Sequence, residues 1–550
     1  MTKTKLNDVI SSELILETKP PVVSAMGGGI EGAERTKRET MNWTPSMRSP
    51  DQTINPVKEL ADARGRDMVQ NDGYANGAVQ LHRDNIVGSA YRLNAQPNCR
   101  ALEVSDEYGE EFQEVVEARF NVAAESEDCW FDAQRVNTFT GLVRLVVGGF
   151  VMTGESLAVA EWIREQRRPF STAIQIVSPS RLCNPNNAAD DKHLRRGIYK
   201  DFRGKPVAYS IRSGYPTDPY GIAYTWFTVP AAKPWGRRQV SHIIEQLLPD
   251  QSRGIADMVS ALSQMKMTKK FQEITLQQAV VAATYAAAIE SELPSQMVYE
   301  QMGGGQTDFS GMNGYIENYL GQLATFLDSS KNIAVDGVKM PHLFPGTKLN
   351  IKSLGAPGGV GDGFERSLLR HTAAALGVSY EQLSRDYTNT NYSSARASMV
   401  ETWKFMQSRK KIVADRFATF IYQLWLEEEW NAGNIPLPPG KDRSWFYEPL
   451  VKDALSNCSW IGASRGQIDE LKETQAAILR IKSNLSTYEM ESARLGVDFR
   501  DVFKQAAREK RMMEKLGITP NLDAQKSTSG ASSQGTLAGG GKKDNEEDDE

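Results

Sequence analysis

The stretch ARASMVETWKFMQSRKKIVADRFATFIYQLWLEEEW, residues 395–430, decides the fold because its large apolar side chains recur at helical spacing. Steps of three, four and seven residues place such side chains on one face of an α-helix. A helix of this length would extend about 54 Å, enough to cross a large subunit. We therefore predict one long helix whose buried face carries Met399, Trp403, Met406, Val413, Phe417, Phe420 and Leu424.

Upstream of this helix the hydrophobic period changes. Residues 56–92, 108–124 and 136–148 have helical patterns, whereas GESLAVAEW, TAIQIVSPSRL, GIYKDFRGKPVAYSIR and AYTWFTVPA are rich in β-branched and aromatic residues. Arg203 and Gly204 lie at a predicted hairpin turn. The sequence therefore predicts an α+β fold.

Composition argues against several classes of protein. The net charge of the 550 residues is −5, and most of it lies in the acidic ending GKKDNEEDDE, so the body is near neutral and a strongly basic DNA-binding protein is not indicated. The four cysteines are far apart and the five histidines form no HxH or HExxH pair, so we predict free thiols, no metal site and no cofactor. No apolar run approaches the roughly 20 residues of a membrane span, so no membrane partner is expected.

A polar loop, residues 384–394, precedes the long helix in the stretch SRDYTNTNYSSARAS. A capping box of Ser379 and Gln382 predicts a short helical turn before it. Hydroxyl and amide groups can contact phosphates weakly and without sequence readout, but the same composition suits an ordinary surface loop. Its candidate contact residues are Arg385, Tyr387, Thr388, Asn389, Thr390, Asn391, Tyr392, Ser393 and Ser394.

Three cations on the long helix are a second candidate. Arg409, Lys410 and Lys411 belong to the segment SRKK, which lies mostly apart from the apolar face. They could meet phosphate or simply water.

One segment matches a catalytic pattern. GASRG, residues 462–466, fits G-x-S-x-G and would make Ser464 a hydrolase nucleophile. The hydrolase order needs a histidine after the serine, but the last histidine here is His371. Ser464 is better explained as a helix N-cap with Gln467, and we predict that the chain is not an enzyme.

Several long blocks resemble lambda-type bacteriophage portal proteins. They are NDGYANGAVQLHRDNIVGSAYRLN (71–94), VSPSRLCNPNN (177–187), AAIESEL (287–293), FERSLLRHTAAALG (364–377), GVSYEQLSRDYTNTNYSSARAS (377–398) and CSWIGASRGQIDELKETQAA (458–477). The blocks occur in the same order across about 55–515, which makes the resemblance specific.

The resemblance implies a portal fold with an α/β wing, a helical stem, a small α/β clip and a helical crown, assembling as a ring of about twelve subunits. On this chain it implies a flexible arm (1–55), a wing (56–252), stem helices (253–282 and 363–377), a clip (283–362), a channel loop (378–394), a long wing helix with the wing remainder (395–457), a crown (458–519) and a disordered acidic tail (520–550).

The resemblance also implies partners and a location. Double-stranded DNA would pass without sequence specificity, the terminase large subunit would drive it, and the major capsid protein and a head-tail connector or completion protein would bind the ring. The ring would assemble in the bacterial host cytoplasm and remain in the virion at the capsid portal vertex. The polar loop would then line the channel, because strong cationic contacts would retard sliding DNA. A different ring-forming head-tail connector remains the alternative.

Overall fold

The structure of the chain is a computed structural model. It describes residues 38, 40–215, 224–285, 332–335, 338–341, 360–388, 390–466 and 470–517. The predicted acidic tail (520–550), most of the predicted clip and Asn389 lie outside the described residues.

Six helices form the first part of the described chain, and several begin at a side-chain cap. Ser49 and Gln52 form a capping box for the first helix, Asp72 accepts a hydrogen bond from the Ala75 amide, and Thr138 caps a later helix. Such caps satisfy amides that the first helical turn leaves unpaired. The helices are α1 (Pro50–Ile54), α2 (Lys58–Asn71), α3 (Gly73–Ile86), α4 (Cys99–Leu102), α5 (Asp106–Glu125) and α6 (Phe139–Thr153).

The strands form antiparallel sheets, as the change of period predicted. A three-stranded sheet has the order β3-β2-β8, and a four-stranded sheet has the order β4-β5-β6-β7. The turn before β6 contains Gly204 at φ +83°, in agreement with the predicted hairpin. The strands are β1 (Arg92–Ala95), β2 (Glu155–Trp162), β3 (Thr172–Val177), β4 (Leu194–Arg195), β5 (Ile198–Lys200), β6 (Pro206–Arg212), β7 (Trp226–Pro230) and β8 (Val240–Ile244). The α+β prediction is confirmed.

The long helix is present and continuous. It comprises α10 (Tyr392–Arg409), a π-helical turn (Lys410–Asp415) and α11 (Arg416–Ala432). Its second half lies at the centre of the main core, where the Phe120 ring packs within 5.2 Å of Phe139 and Trp425, measured between ring centroids. Aromatic groups of this kind supply much of the buried apolar area of a core.

The first half of the long helix packs differently from the prediction. Met406 and Val413 are buried, but Met399 and Trp403 are only half-buried, while Thr402 is buried instead. The predicted face therefore holds from Met406 onward and is wrong as a fully buried face before it. The reason is that α10 packs on α3 and the π-helical turn, whereas α11 lies within the main core.

Two helices occupy the residues for which the stem was predicted, on either side of the predicted clip in sequence. Helices α7 (Leu262–Tyr285) and α8 (Val360–Ala375) contact each other through Phe271 and Phe364, whose ring centroids are 5.7 Å apart. A hairpin of β9 (Asn332–Val335) and β10 (Val338–Pro341) is described between them in sequence. Helix α8 leads into the short α9 (Tyr380–Ser384), which opens with the predicted Ser379 and Gln382 capping box.

The C-terminal part begins with elements that contribute to the main core and continues with helices that have few buried residues. After α12 (Val451–Leu455) and β11 (Cys458–Ile461) come α13 (Glu470–Lys482), α14 (Tyr488–Arg494) and α15 (Phe499–Leu516). Strand β11 pairs antiparallel with β1, from the N-terminal half of the chain. The unit predicted to begin at 458 therefore begins with a strand that belongs to the main body.

A buried group of charges joins the N-terminal helices to the sheet and to the segment that leads into α7. The carboxylate of Glu155, on β2, has no exposed surface and receives hydrogen bonds from the Arg253 guanidinium at 3.0 and 3.1 Å. Lys58 lies 3.3 Å from the same carboxylate, and His242 lies 3.0 Å from it. Burial alone would raise the pKa of Glu155, but the Arg253 and Lys58 charges outweigh it and hold that pKa well below its usual value.

The predicted flexible arm ends earlier than residue 55. Helix α1 packs on the body, because Asp51 is buried and accepts hydrogen bonds from the Ser252 amide at 2.8 Å and the Ser252 hydroxyl at 2.5 Å. The last residues of the predicted arm therefore contact Ser252, the residue next to Arg253 of the buried charge group.

Candidate nucleic-acid interface

The polar loop connects α9 to α10, and local hydrogen bonds define its first part. Arg385 ends α9 in the left-handed region at φ +57°. The Ser384 hydroxyl donates to the Tyr380 carbonyl at 2.8 Å and accepts from the Asp386 amide at 3.2 Å. These contacts turn the chain away from the helix axis immediately after α9.

Asp386, the one acid of the polar loop, forms hydrogen bonds within the loop. Its carboxylate accepts hydrogen bonds from the Thr388 hydroxyl at 2.6 Å and the Thr388 amide at 3.1 Å. The hydrogen bond from the Thr388 hydroxyl is the main cause that lowers the pKa of Asp386 below its ordinary value, and the bond from the Thr388 amide adds to it. The acid therefore stays ionised and shapes the loop through these bonds, an Asx-type turn.

The loop is shorter than predicted. The Asn391 side chain accepts a hydrogen bond from the Ser394 amide at 2.8 Å, so Asn391 is the N-cap and α10 begins at Tyr392. Tyr392, Ser393 and Ser394 therefore lie in the first helical turn, a correction to the loop predicted to end at Ser394. The sequence contained the signal, because an Asn before a helical pattern is a strong N-cap.

The outer part of the loop presents polar groups to solvent. The Tyr387 side chain is 56% exposed, and Thr388 is also exposed. Thr390 is partly buried and its amide donates to the Tyr387 carbonyl at 3.2 Å. A DNA phosphate could therefore meet hydroxyl groups here without displacing a packed side chain.

Two arginines flank this polar surface. Arg385 and Arg396 are both exposed, and neither makes an ion pair among the residues that the structure describes. Arg385 was among the predicted contact residues, but Arg396 was missed. Its signal was available, since it is the first cation after the loop and the fifth residue of α10.

The three predicted cations of the long helix have separate environments. Arg409 is largely buried, with 12% of its side chain exposed, and forms ion pairs with Glu245 and Asp257. Lys410 is also largely buried, and its ammonium donates to the Asp415 carboxylate at 2.9 Å and the Trp460 carbonyl at 2.8 Å.

Only the third of these cations is open to solvent. The Lys411 side chain is 80% exposed and 4.0 Å from an Asp415 carboxylate oxygen. The structure therefore corrects the expectation for Arg409 and Lys410, because their charges are neutralised inside the subunit. Helical spacing alone does not show that a cation off the apolar face meets acids from other elements.

The GASRG segment does not have the geometry of a nucleophile elbow. It follows β11, which lies in a two-stranded antiparallel sheet, whereas an elbow follows a strand of a doubly wound sheet. Ser464 is exposed and makes no hydrogen bond to a histidine among the described residues. Its predicted cap partner Gln467 lies outside the described residues.

The described parts of the chain contain neither a candidate metal site nor a candidate membrane span. Within them, no group of three or more His, Cys, Asp or Glu side chains is placed to hold a metal ion. No described helix combines the length and the apolar character needed to cross a bilayer.

Comparison with known proteins gives strong matches along most of the chain. The model of the phage portal proteins of the lambda family matches residues 36–410. The portal protein of Escherichia phage N15 is 39% identical over 495 residues, which are 90% of this chain and 91% of the relative. Portal protein B of Escherichia phage lambda is 37% identical over 495 residues, 90% of each chain. A subunit from the neck of an empty gene transfer agent particle is 12% identical, with a TM-score of 0.40 over 84% of this chain and 99% of that chain.

Proposed function

The chain belongs to the lambda family of phage portal proteins, and on that premise we propose that its copies form a ring of about twelve subunits around a channel for double-stranded DNA. The polar loop lies on the channel wall and contacts DNA in passing. DNA enters through the ring during packaging and leaves through it during ejection.

The observation that carries this proposal is the chemistry of the polar loop. Its exposed groups are hydroxyls and a phenol, its acid is satisfied by Thr388, and its flanking cations are two arginines. Each cation held against a phosphate releases counterions and strengthens binding, so a surface with few cations lets a duplex slide. A near-neutral body and weak polar contacts suit a passage more than a site of tight binding.

The proposed domain organisation follows the same premise. Helices α7 and α8 form the stem, the elements from α1 to β8 with α10 and α11 form the wing, and α13 to α15 form the crown. The clip lies between α7 and α8. The long helix then ties the loop at its N-terminal end to the aromatic core at its C-terminal half.

The proposed partners supply what the ring itself lacks. The terminase large subunit drives the DNA, the major capsid protein surrounds the ring, and a head-tail connector or completion protein replaces the motor. Assembly takes place in the host cytoplasm, and the ring remains in the virion at the portal vertex. Arg385, Arg396 and Lys411 are the cations proposed to remain available to DNA.

The test adds one cation per subunit at the loop. Tyr387→Lys should leave the fold intact, because the side chain is 56% exposed. Purified rings of the variant should bind a short duplex more tightly, and the slope of log affinity against log salt should steepen, since each new phosphate contact contributes about 0.9 to that slope. Packaging by particles that carry the variant should slow.

Two control variants separate charge from position. Tyr387→Gln removes the phenol without adding charge and should keep the wild-type salt slope. Gln166→Lys adds the same charge at an exposed turn between β2 and β3 and should leave DNA binding unchanged. If Tyr387→Lys rings form normally and bind and package DNA as the wild type does across a salt series, the loop does not line the channel.

A further inference from the structure

Helix α15 projects from its own subunit. From Asp501 to Leu516 every residue is exposed except Met513, which is half-buried. Among the described residues, side-chain contacts with α5 anchor the start of the helix, where Lys504 lies 3.0 Å from Glu114 and Arg500 donates to the Gln113 side-chain oxygen at 2.7 Å. Both partners of these contacts lie on α5.

The helix has an apolar stripe that its own subunit covers only near its beginning. Phe503 packs against Tyr488 of α14, with ring centroids 5.6 Å apart, yet remains 49% exposed. The end of the stripe is uncovered, since Leu516 is 61% exposed. An isolated helix of 18 residues is marginal in water, and an amphipathic helix gains its stability from packing of its apolar face. The stripe consists of Phe499, Val502, Phe503, Ala506, Met513 and Leu516.

A basic stripe runs along the face of α15 opposite the apolar one. Lys504, Arg508, Arg511 and Lys515 are spaced by four, three and four residues, which places them on one face of α15. Lys504 is engaged by Glu114, but the other three form no ion pair among the described residues. Three strong cations in line therefore lie open at the free end of the helix.

An acidic stripe of matching length lies on α5. Glu107, Glu110, Glu111 and Glu114 are exposed and lie within one face of that helix. Glu114 is the one that contacts Lys504, and the other three form no ion pair in the part of the chain that the structure describes. The intrasubunit pair shows that the chemistry of the two stripes is compatible.

We propose that the free end of α15 docks on a second copy of this chain, with its basic stripe against the acidic stripe of the neighbour's α5. This inference rests on the proposed ring. One surface binds a different surface of the next subunit, which is the heterologous arrangement that closes into a ring. Each subunit then has one α15 and one acidic stripe, and in a closed ring every α15 binds the acidic stripe of the next subunit.

A nucleic acid is the competing ligand for a basic stripe. The acidic stripe on the same chain supplies the complementary charge at equal stoichiometry, and charge complementarity of this kind directs which surfaces meet.

The experiment reverses one charge at a time. Arg511→Glu and, separately, Glu110→Arg should each raise the protein concentration needed for half-assembly into rings about tenfold, because one reversed pair is repeated at every interface of the ring. Sedimentation velocity at low salt measures this, and the difference from wild type should shrink at high salt.

A mixture of the two variants provides the positive test. Arg511→Glu subunits alternating with Glu110→Arg subunits bring opposite charges together at that position in one interface and native charges in the next. The mixture should therefore assemble near the wild-type concentration. Lys510→Glu is the matched control, because it reverses a charge one residue away on the face of the apolar stripe, away from the basic stripe.

The contrary results are distinct. Equal effects of Arg511→Glu and Lys510→Glu, or no rescue in the mixture, would overturn the docking while leaving the ring intact. Unchanged assembly with weaker DNA binding would assign the basic stripe to nucleic acid instead. A wild-type chain that stays monomeric would contradict the ring itself, and the docking would fall with it.

Discussion

Replacing the buried carboxylate of Glu155 tests how the segment leading into α7 is held. In Glu155→Gln the Arg253 guanidinium loses its counter-charge, although it keeps hydrogen bonds to the carbonyls of Leu182 at 2.8 Å and Pro179 at 2.9 Å. Lys58 loses one of its two acids and keeps Asp62 at 2.6 Å. The variant therefore leaves buried positive charge that is partly, not fully, compensated.

The expected loss in the free energy of unfolding depends on the groups that still compensate Arg253 and Lys58. Removing one partner of a buried ion pair costs about 3–5 kcal/mol when the other charge is left uncompensated. The carbonyls around Arg253 and the carboxylate of Asp62 place this variant near the lower end, about 3 kcal/mol. Such a loss should lower Tm by about 6–12 °C if the unit behaves like a domain of 150–250 residues.

Calorimetry or thermal fluorimetry of matched preparations measures the change. Glu165→Gln is the control, because that carboxylate also pairs with an arginine, Arg135 at 2.8 Å, but is 50% exposed. Exposed pairs contribute about 0–1 kcal/mol, so the control should shift Tm little, and high salt should not remove the difference between the variants. If Glu155→Gln and Glu165→Gln have the same Tm, the buried charge group does not hold the segment that leads into α7.

Three further changes probe the core and its titration. Gly154→Ala should lower the free energy of unfolding in urea by roughly 3 kcal/mol, because φ is +74° and a Cβ would lie 2.0 Å from the backbone carbonyl carbon of Ile255. A urea midpoint equal to that of the wild type would show that the backbone adjusts without cost. Trp425→Ala, at a site 1% exposed, should lose about 3–5 kcal/mol, whereas Trp403→Ala, at a half-buried site, should lose about half as much; equal losses would place both in the core. Burial raises the pKa of Glu117 to about 7, so the ionised carboxylate reduces the stability of the wild type as pH rises from about 4.5 through 7. Glu117→Gln should remove that loss and be about 2 kcal/mol more stable than the wild type at pH 8. Tm values of both proteins at pH 5 and pH 8 measure the difference, and identical changes of Tm with pH would contradict the assignment.

Local patterns in the sequence were enough for much of the fold. The long helix, the strands between α6 and β8, and the box of Ser379 and Gln382 each depend on residues close together in the chain. Periodicity and capping act over one or two helical turns, so a single sequence contains the information needed to predict them. The family resemblance also lay in contiguous blocks of sequence.

The candidate site depended more heavily on tertiary structure. The sequence placed Arg409 and Lys410 off the apolar face of a helix, and only the fold brought Asp257 and the Trp460 carbonyl to them. The helix start at Tyr392 was set by the Asn391 cap, a local signal that the loop's composition obscured.

The sequence by itself determined which segments are helix or strand and which family the chain resembles, because those properties depend on neighbouring residues. Tertiary structure alone decided which charges are neutralised and which surfaces stay open. Glu155 and Arg253 meet across 98 positions, and Glu114 and Lys504 across 390. The environment of a charge is set by groups that arrive from distant parts of the chain, and no local pattern specifies them.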